Sequence, residues 1–127
     1  MIYLDNAATT ALSPAAIQAM TKTMTVFGNP SSTHSHGREA SKLLRQARED
    51  IAQALHTQSN KILFTSGGTE SNNTAIKGYA LRHQNRGKHI VTTAIEHHAV
   101  LEVVEYLVDK FGFEATFVQP VDGQIRA

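Results

Sequence analysis

The stretch Phe64-Thr65-Ser66-Gly67-Gly68-Thr69-Glu70-Ser71-Asn72 decides how this chain is read. Just before and into it, Lys61-Ile62-Leu63-Phe64-Thr65 is a short apolar run bounded by turn signals, which predicts a buried strand. Gly67-Gly68 breaks that run. A helix follows, with Ala75, Ile76, Tyr79 and Ala80 inward and a close at Gly87. Glycines let the backbone turn sharply and approach a ligand closely. The first N–H groups of a helix have no partner inside it, and with the helix dipole they attract an anion. Thr69 adds a hydroxyl donor. Gly68 and Thr69 are thus candidate phosphate-binding residues. The same residues also suit an ordinary strand–helix connection, with Thr69 or Ser71 as the N-cap. The stretch lacks the lysine of a nucleotide P-loop and the third glycine of a dinucleotide fingerprint. A small phosphate-bearing ligand fits it better than ATP or NAD.

Downstream, His89-Ile90-Val91-Thr92-Thr93 predicts a strand. Val100, Val104, Leu107, Val108 and Phe111 stripe a helix closed by Gly112. Ala115-Thr116-Phe117-Val118 predicts a third strand, ended by Pro120, and Asp122-Gly123 a turn. Strand, helix, strand, helix, strand argues for an α/β fold with a largely parallel sheet. Ala94-Ile95-Glu96-His97-His98 follows a strand and precedes a helix, so it shares the carboxyl edge with Gly68. An imidazole there can stack on a planar cofactor or exchange protons near neutral pH. It can equally cap the helix start or face solvent.

Upstream, Met1-Ile2-Tyr3-Leu4 is a short apolar start, and Asn6 to Ser13 reads as loop. Ser13 caps a helix opened by Pro14, with Ile17, Met20, Met24 and Phe27 at helical spacing, ended by Gly28-Asn29-Pro30. Ser31 to Gly37 is a polar loop containing His34-x-His36, with no carboxylate or cysteine beside it to complete a metal site. From Arg38 an amphipathic helix runs to about His56, its apolar stripe being Ala40, Leu43, Leu44, Ala47, Ile51, Ala54 and Leu55.

The totals remove several classes of function. Net charge is +1 and the twelve Lys and Arg are scattered, so no electrostatic case exists for nucleic acid or an anionic membrane. With no cysteine there is no disulfide, thiolate metal site or cysteine nucleophile within these 127 residues. No apolar run approaches a membrane span, and no basic-then-apolar leader opens the chain, so a cytoplasmic protein is expected.

Tyr3-Leu4-Asp5-Asn6-Ala7-Ala8-Thr9-Thr10, Phe27-Gly28-Asn29-Pro30-Ser31-Ser32, Phe64 to Asn73, Lys77-Gly78, Gly87-Lys88-His89-Ile90 and Glu96-His97 together resemble the cysteine desulfurases of the NifS/IscS kind. These belong to the class V aminotransferase-like enzymes that use pyridoxal 5'-phosphate (PLP). The resemblance covers essentially all of this chain but only the first part of the family's. It implies an incomplete three-layer αβα fold type I PLP-dependent transferase large domain over residues 14–127. Residues 1–13 would be an arm belonging with the small domain. Gly68 and Thr69 would bind the PLP phosphate. His97 would be both cofactor-binding and catalytic, stacking on the pyridine ring and serving proton transfer. Asn6 to Ala8 and Asn29 to Ser32 would lie on the substrate side.

The implied reaction converts L-cysteine to L-alanine and leaves the sulfur as a persulfide on a catalytic cysteine. That sulfur goes to acceptor or scaffold proteins, for Fe–S cluster assembly or tRNA thiolation. The full-length enzyme is implied to be a homodimer, and the implied site holds no metal. The cofactor-binding lysine, the catalytic cysteine and the substrate-carboxylate arginine of the family lie beyond Ala127. Lys77 and Lys88 do not replace that lysine, one sitting within a helix and the other at the start of a strand. In the family, later strands separate the first strand of the sheet from the next two. Lys61–Thr65 should then not pair with His89–Thr93 within this chain, and buried unpaired backbone groups cost roughly 1–3 kcal/mol each. The expectation is that these 127 residues alone lack a stable native fold and full activity. Other expectations in view are another class V enzyme, such as a selenocysteine lyase, and a non-catalytic remnant that only binds partner subunits.

Overall fold

The computed structural model describes residues 2–126. Met1 of the apolar start and Ala127 lie outside the described residues. The chain forms two compact units, with the boundary between Leu63 and Phe64.

In the first unit, the arm closes a small turn. The Ala8 N–H donates to the Asp5 carbonyl at 3.1 Å, and the single Tyr3 hydroxyl proton is shared between the carbonyls of Asp5 and Thr9, at 2.9 and 3.1 Å. Helix α1 is Pro14–Thr23. Pro14 at its start lacks the N–H that the first turn leaves unpaired anyway, and the Ser13 hydroxyl accepts from Ala16 N–H at 3.2 Å. The helix stops before Gly28, so Met24 and Phe27 fall outside it. Ile17, Met20, Met24 and Phe27 are all at least half exposed.

Helix α2 is Ser35–Ala54. It begins three residues before the predicted Arg38, because the His34 side chain caps it by accepting from Gly37 N–H. The expected apolar stripe is also rotated. Leu43, Ile51 and Leu55 are exposed, whereas Gly37, Ser41, Leu44, Arg48 and Ala52 form the more buried edge. That edge follows where the chain doubles back. Past His56, which takes a left-handed conformation, the Thr57 N–H reaches the Ala52 carbonyl at 2.8 Å, and a 3-10 turn over Ser59–Lys61 packs on α2.

The predicted strand at Lys61–Thr65 is not formed. Lys61 ends the 3-10 turn, and residues 62–65 run outside the sheet with Leu63 68% exposed. A strand exists only through its ladder, and the described residues hold one sheet of two strands.

That sheet lies in the second unit, which comprises α3 (Gly68–His83), β1 (His89–Thr93), α4 (His98–Phe111) and β2 (Glu114–Val118). β1 and β2 pair in parallel from His89 opposite Glu114 to Thr93 opposite Val118, so β1–α4–β2 is one crossover unit. Val103, Leu107 and Phe113 form its core, with Ile76, Ala80 and Leu81 from α3, Ile90 from β1, and Val108 and Phe111 packed around them. Val104 and Leu107 of the predicted α4 stripe are fully buried. On α3, Ile76 and Ala80 face inward as expected, but Ala75 and Tyr79 do not; Tyr79 is 71% exposed and rests on the His83 ring. α4 closes where predicted. Gly112 sits at φ 66°, and the Gly112 and Phe113 N–H groups donate back to Val108 and Leu107. Among the described residues no helix is long and apolar enough to cross a membrane.

Candidate functional site

The start of α3 is held together by its own polar side chains. The Glu70 carboxylate accepts from both the N–H and the hydroxyl of Ser66, at 2.6 and 2.7 Å. The Ser66 hydroxyl bond first, and the backbone bond with it, hold the Glu70 carboxyl below the usual carboxylate range. The Thr65 hydroxyl bridges the Ser71 hydroxyl at 2.6 Å and the Gly67 carbonyl at 3.2 Å. The N–H groups of Gly68 and Thr69, at the open end of α3, are left for another acceptor. A Cβ placed on Gly67 or Gly68 would meet no atom within 4 Å. Neither glycine has the left-handed backbone that would by itself require one. Their value in this structure is open space beside free donors.

The start of α4 lies at the carboxyl end of β1. The Ala94 N–H continues the ladder to the Val118 carbonyl at 2.9 Å, and the Thr93 hydroxyl donates to Glu96 at 2.8 Å. This fixes the turn that delivers His97. His97 is the N-cap residue of α4, its Nδ1 accepting from Ala99 N–H at 3.0 Å. The capping role weighed from sequence is thus real, and it leaves Nε2 and the ring faces uncommitted by that bond. His98 lies edge-on to the His97 ring at 6.3 Å.

Thr69 and His97 line one cavity of about 370 Å³. Two facing helical rows complete it, Thr69, Asn73 and Lys77 on α3 and His98, Glu102 and Tyr106 on α4. Each row steps by four residues, which places its members on one helix face. That spacing was readable in the sequence, but which helix faces the row was not. The Asn73 side chain donates to the Thr69 carbonyl at 3.0 Å, and the Lys77 ammonium lies 4.4 Å from the Tyr106 ring centre. Lys77 therefore braces α3 against α4. Lys88, the other lysine considered, donates to the Phe111 carbonyl at 2.7 Å and is likewise structural.

The remaining sequence candidates belong to the first unit. Asn6 to Ala8 is part of the arm's turn. In Asn29 to Ser32, the Asn29 side chain accepts from Ser31 N–H and the Asn29 carbonyl from Ser32 N–H, both at 2.9 Å. His34 caps α2 and His36 stacks on Phe27 at 4.6 Å.

Thr69 in the first turn of α3 and the capping imidazole of His97 thus line one cavity along the facing flanks of α3 and α4, while Gly67 and Gly68 are not among the residues that line it. The chain belongs to the class V aminotransferase family, whose model matches residues 2–126. It is 52% identical over 122 residues to the cysteine desulfurase IscS of Dictyoglomus turgidum, covering 95% of this chain and 30% of that one. It is 44% identical to the IscS-like cysteine desulfurase of Mycobacterium tuberculosis, covering 100% of this chain and 33% of the relative. Among solved structures, a NifS-like protein superposes with a TM-score of 0.79 at 39% identity, over 87% of this chain and 30% of its own. SspA in complex with cysteine gives 0.76 at 37% identity, over 87% and 32%. The chain thus spans about a third of the length of the relatives it matches. The likeness fixes the fold as part of the α/β domain of these enzymes.

Proposed function

We propose that this chain supplies the phosphate side of the PLP site in a cysteine desulfurase, which converts L-cysteine to L-alanine and passes the sulfur on as a persulfide. The observation that carries the reading is that Thr69, beside the open space at Gly67 and Gly68, lines one cavity with His97. The donors fit the group. Gly68 and Thr69 N–H and the Thr69 hydroxyl would hold a phosphate at the positive end of α3, as helix N-termini do. The imidazole of His97 would lie against a planar ring and address the substrate through Nε2. When bound, PLP supplies the electron sink for a carbanion at the substrate's α-carbon. Asn6 to Ala8 and Asn29 to Ser32 are proposed to border the substrate side, with residues 1–13 serving as an arm of the small domain. The persulfide-bearing cysteine is not among these residues, since the chain has none. The whole enzyme is proposed to work as a cytoplasmic homodimer with protein sulfur acceptors.

PLP binding tests this directly. In the whole enzyme proposed to contain this chain, Thr69→Ala should weaken PLP binding about tenfold or more, the loss expected for one hydrogen bond to a charged group. The far-UV circular dichroism should not change. Equal affinity of the variant and the parent, measured by absorbance titration, would sink the assignment of the phosphate site.

A further inference from the structure

Every neutral imidazole carries one ring proton, and the cap at α4 decides where that proton sits in His97. The Ala99 backbone N–H is a donor in all conditions, and it lies 3.0 Å from Nδ1. Nδ1 must therefore present a lone pair, which leaves the proton on Nε2. We propose that the cap locks neutral His97 as the Nε2–H tautomer, so that it offers the Thr69-lined cavity a hydrogen-bond donor and a ring face but no basic lone pair. This runs against the expectation that His97 serves proton transfer, as far as the capped state is concerned. In the capped state its Nε2 is a donor to an acceptor oxygen or carboxylate of the ligand. A second proton would have to sit on Nδ1, where it would confront the Ala99 N–H and leave that amide without its acceptor. His97 can therefore accept a proton only with release of the α4 cap. The tautomer rests on this chain's geometry alone; only the identity of the ligand that meets Nε2 rests on the PLP reading.

The test is a long-range proton–nitrogen correlation spectrum of the chain labelled with nitrogen-15 histidine, recorded without PLP at a pH where the ring is neutral. The His97 signals are identified by their loss in His97→Asn. The expected result is a pyridine-type Nδ1 and a pyrrole-type Nε2, with no admixture of the other form. A pyrrole-type Nδ1, or a ring averaging the two tautomers, overturns the proposal. A second readout is amide exchange at Ala99. His97→Ala should speed it about fivefold, the loss expected for one N-cap, while His97→Asn, a strong capping residue, should keep it near the parent rate. Unchanged exchange in His97→Ala also overturns the proposal. Adding PLP to the labelled full-length apoenzyme keeps the two readings apart. A locked tautomer with no response of the His97 signals to PLP sustains the cap and removes the cofactor reading. A response to PLP with mixed tautomers does the reverse.

Discussion

The two units use the same two devices, a glycine pair and a histidine cap, to different ends. In the first unit the glycines stand where the chain's own backbone leaves no room. A Cβ on Gly37 would lie 2.3 Å from the Ser32 carbonyl oxygen, and one on Gly28 would lie 2.4 Å from that of His36. In the second unit a Cβ on Gly67 or Gly68 would meet nothing within 4 Å. His34 caps α2 beside the stacked pair Phe27 and His36, whereas His97 caps α4 at the wall of a cavity. A glycine or a capping histidine therefore says little about function until the volume beside it is known. Filled volume means the residue serves packing, and open volume next to unpaired donors means it is available to a ligand.

The largest effects should separate the glycine pairs. Gly37→Ala has to push apart backbone rather than a flexible side chain, so in the whole enzyme it should destabilise the fold by at least ~1–3 kcal/mol, read from urea unfolding. Gly68→Ala, in the first turn of α3, should leave stability within ~0.5 kcal/mol and lose PLP affinity instead. If both variants lose stability alike, the contrast between filled and open space is broken.

The caps should differ less. His34→Ala removes an acceptor 3.3 Å from the Gly37 N–H and should cost ~0.5–1 kcal/mol of α2 stability. It should not alter PLP binding. Amide exchange along α2 and a PLP titration of the same variant give both numbers. Reduced PLP affinity in His34→Ala would show that the first unit's cap is not merely structural.

The smallest effect concerns Glu70, which is exposed and braces the start of α3 through Ser66. Its carboxyl is held below its ordinary value of 4.5 in the folded chain. The group thus contributes stability above its unfolded value and loses that contribution as pH falls through the lower, folded value. Parent and Glu70→Gln should differ in stability near neutral pH and converge in acid below 4.5. Parallel acid-unfolding curves for the two proteins would show that the Ser66 clamp does not stabilise the loop.

Local signals were legible where the chemistry is local. The Ser13-Pro14 helix start, the Gly112 stop and the periodicity of the α4 stripe need only neighbours along the chain, and each is found as read. The early start of α2 was missed because His34 acts as a cap, a role more often filled by Ser, Thr, Asp or Asn. Lys61–Thr65 has the composition of a strand but finds no ladder among the described residues, in line with the expectation that it does not pair with His89–Thr93 within this chain. Tyr79 was misplaced because an aromatic at helical spacing also suits an exposed face that carries a ring partner, here His83.

The sequence by itself determined the class of chain. Gly67-Gly68-Thr69 after an apolar run, Glu96-His97 after a strand, and the Asn29-Pro30-Ser31-Ser32 loop are short patterns that together resemble the class V aminotransferase family, to which the chain belongs. Only the tertiary structure decided that Thr69 and His97 share a cavity, that Asn73, Lys77, Glu102 and Tyr106 complete it, and that His97 spends Nδ1 on the α4 cap. The physical reason is that a motif records which groups are available. The volume between two helices and the partner of a ring nitrogen are set by how those helices pack, through contacts between residues far apart in the chain.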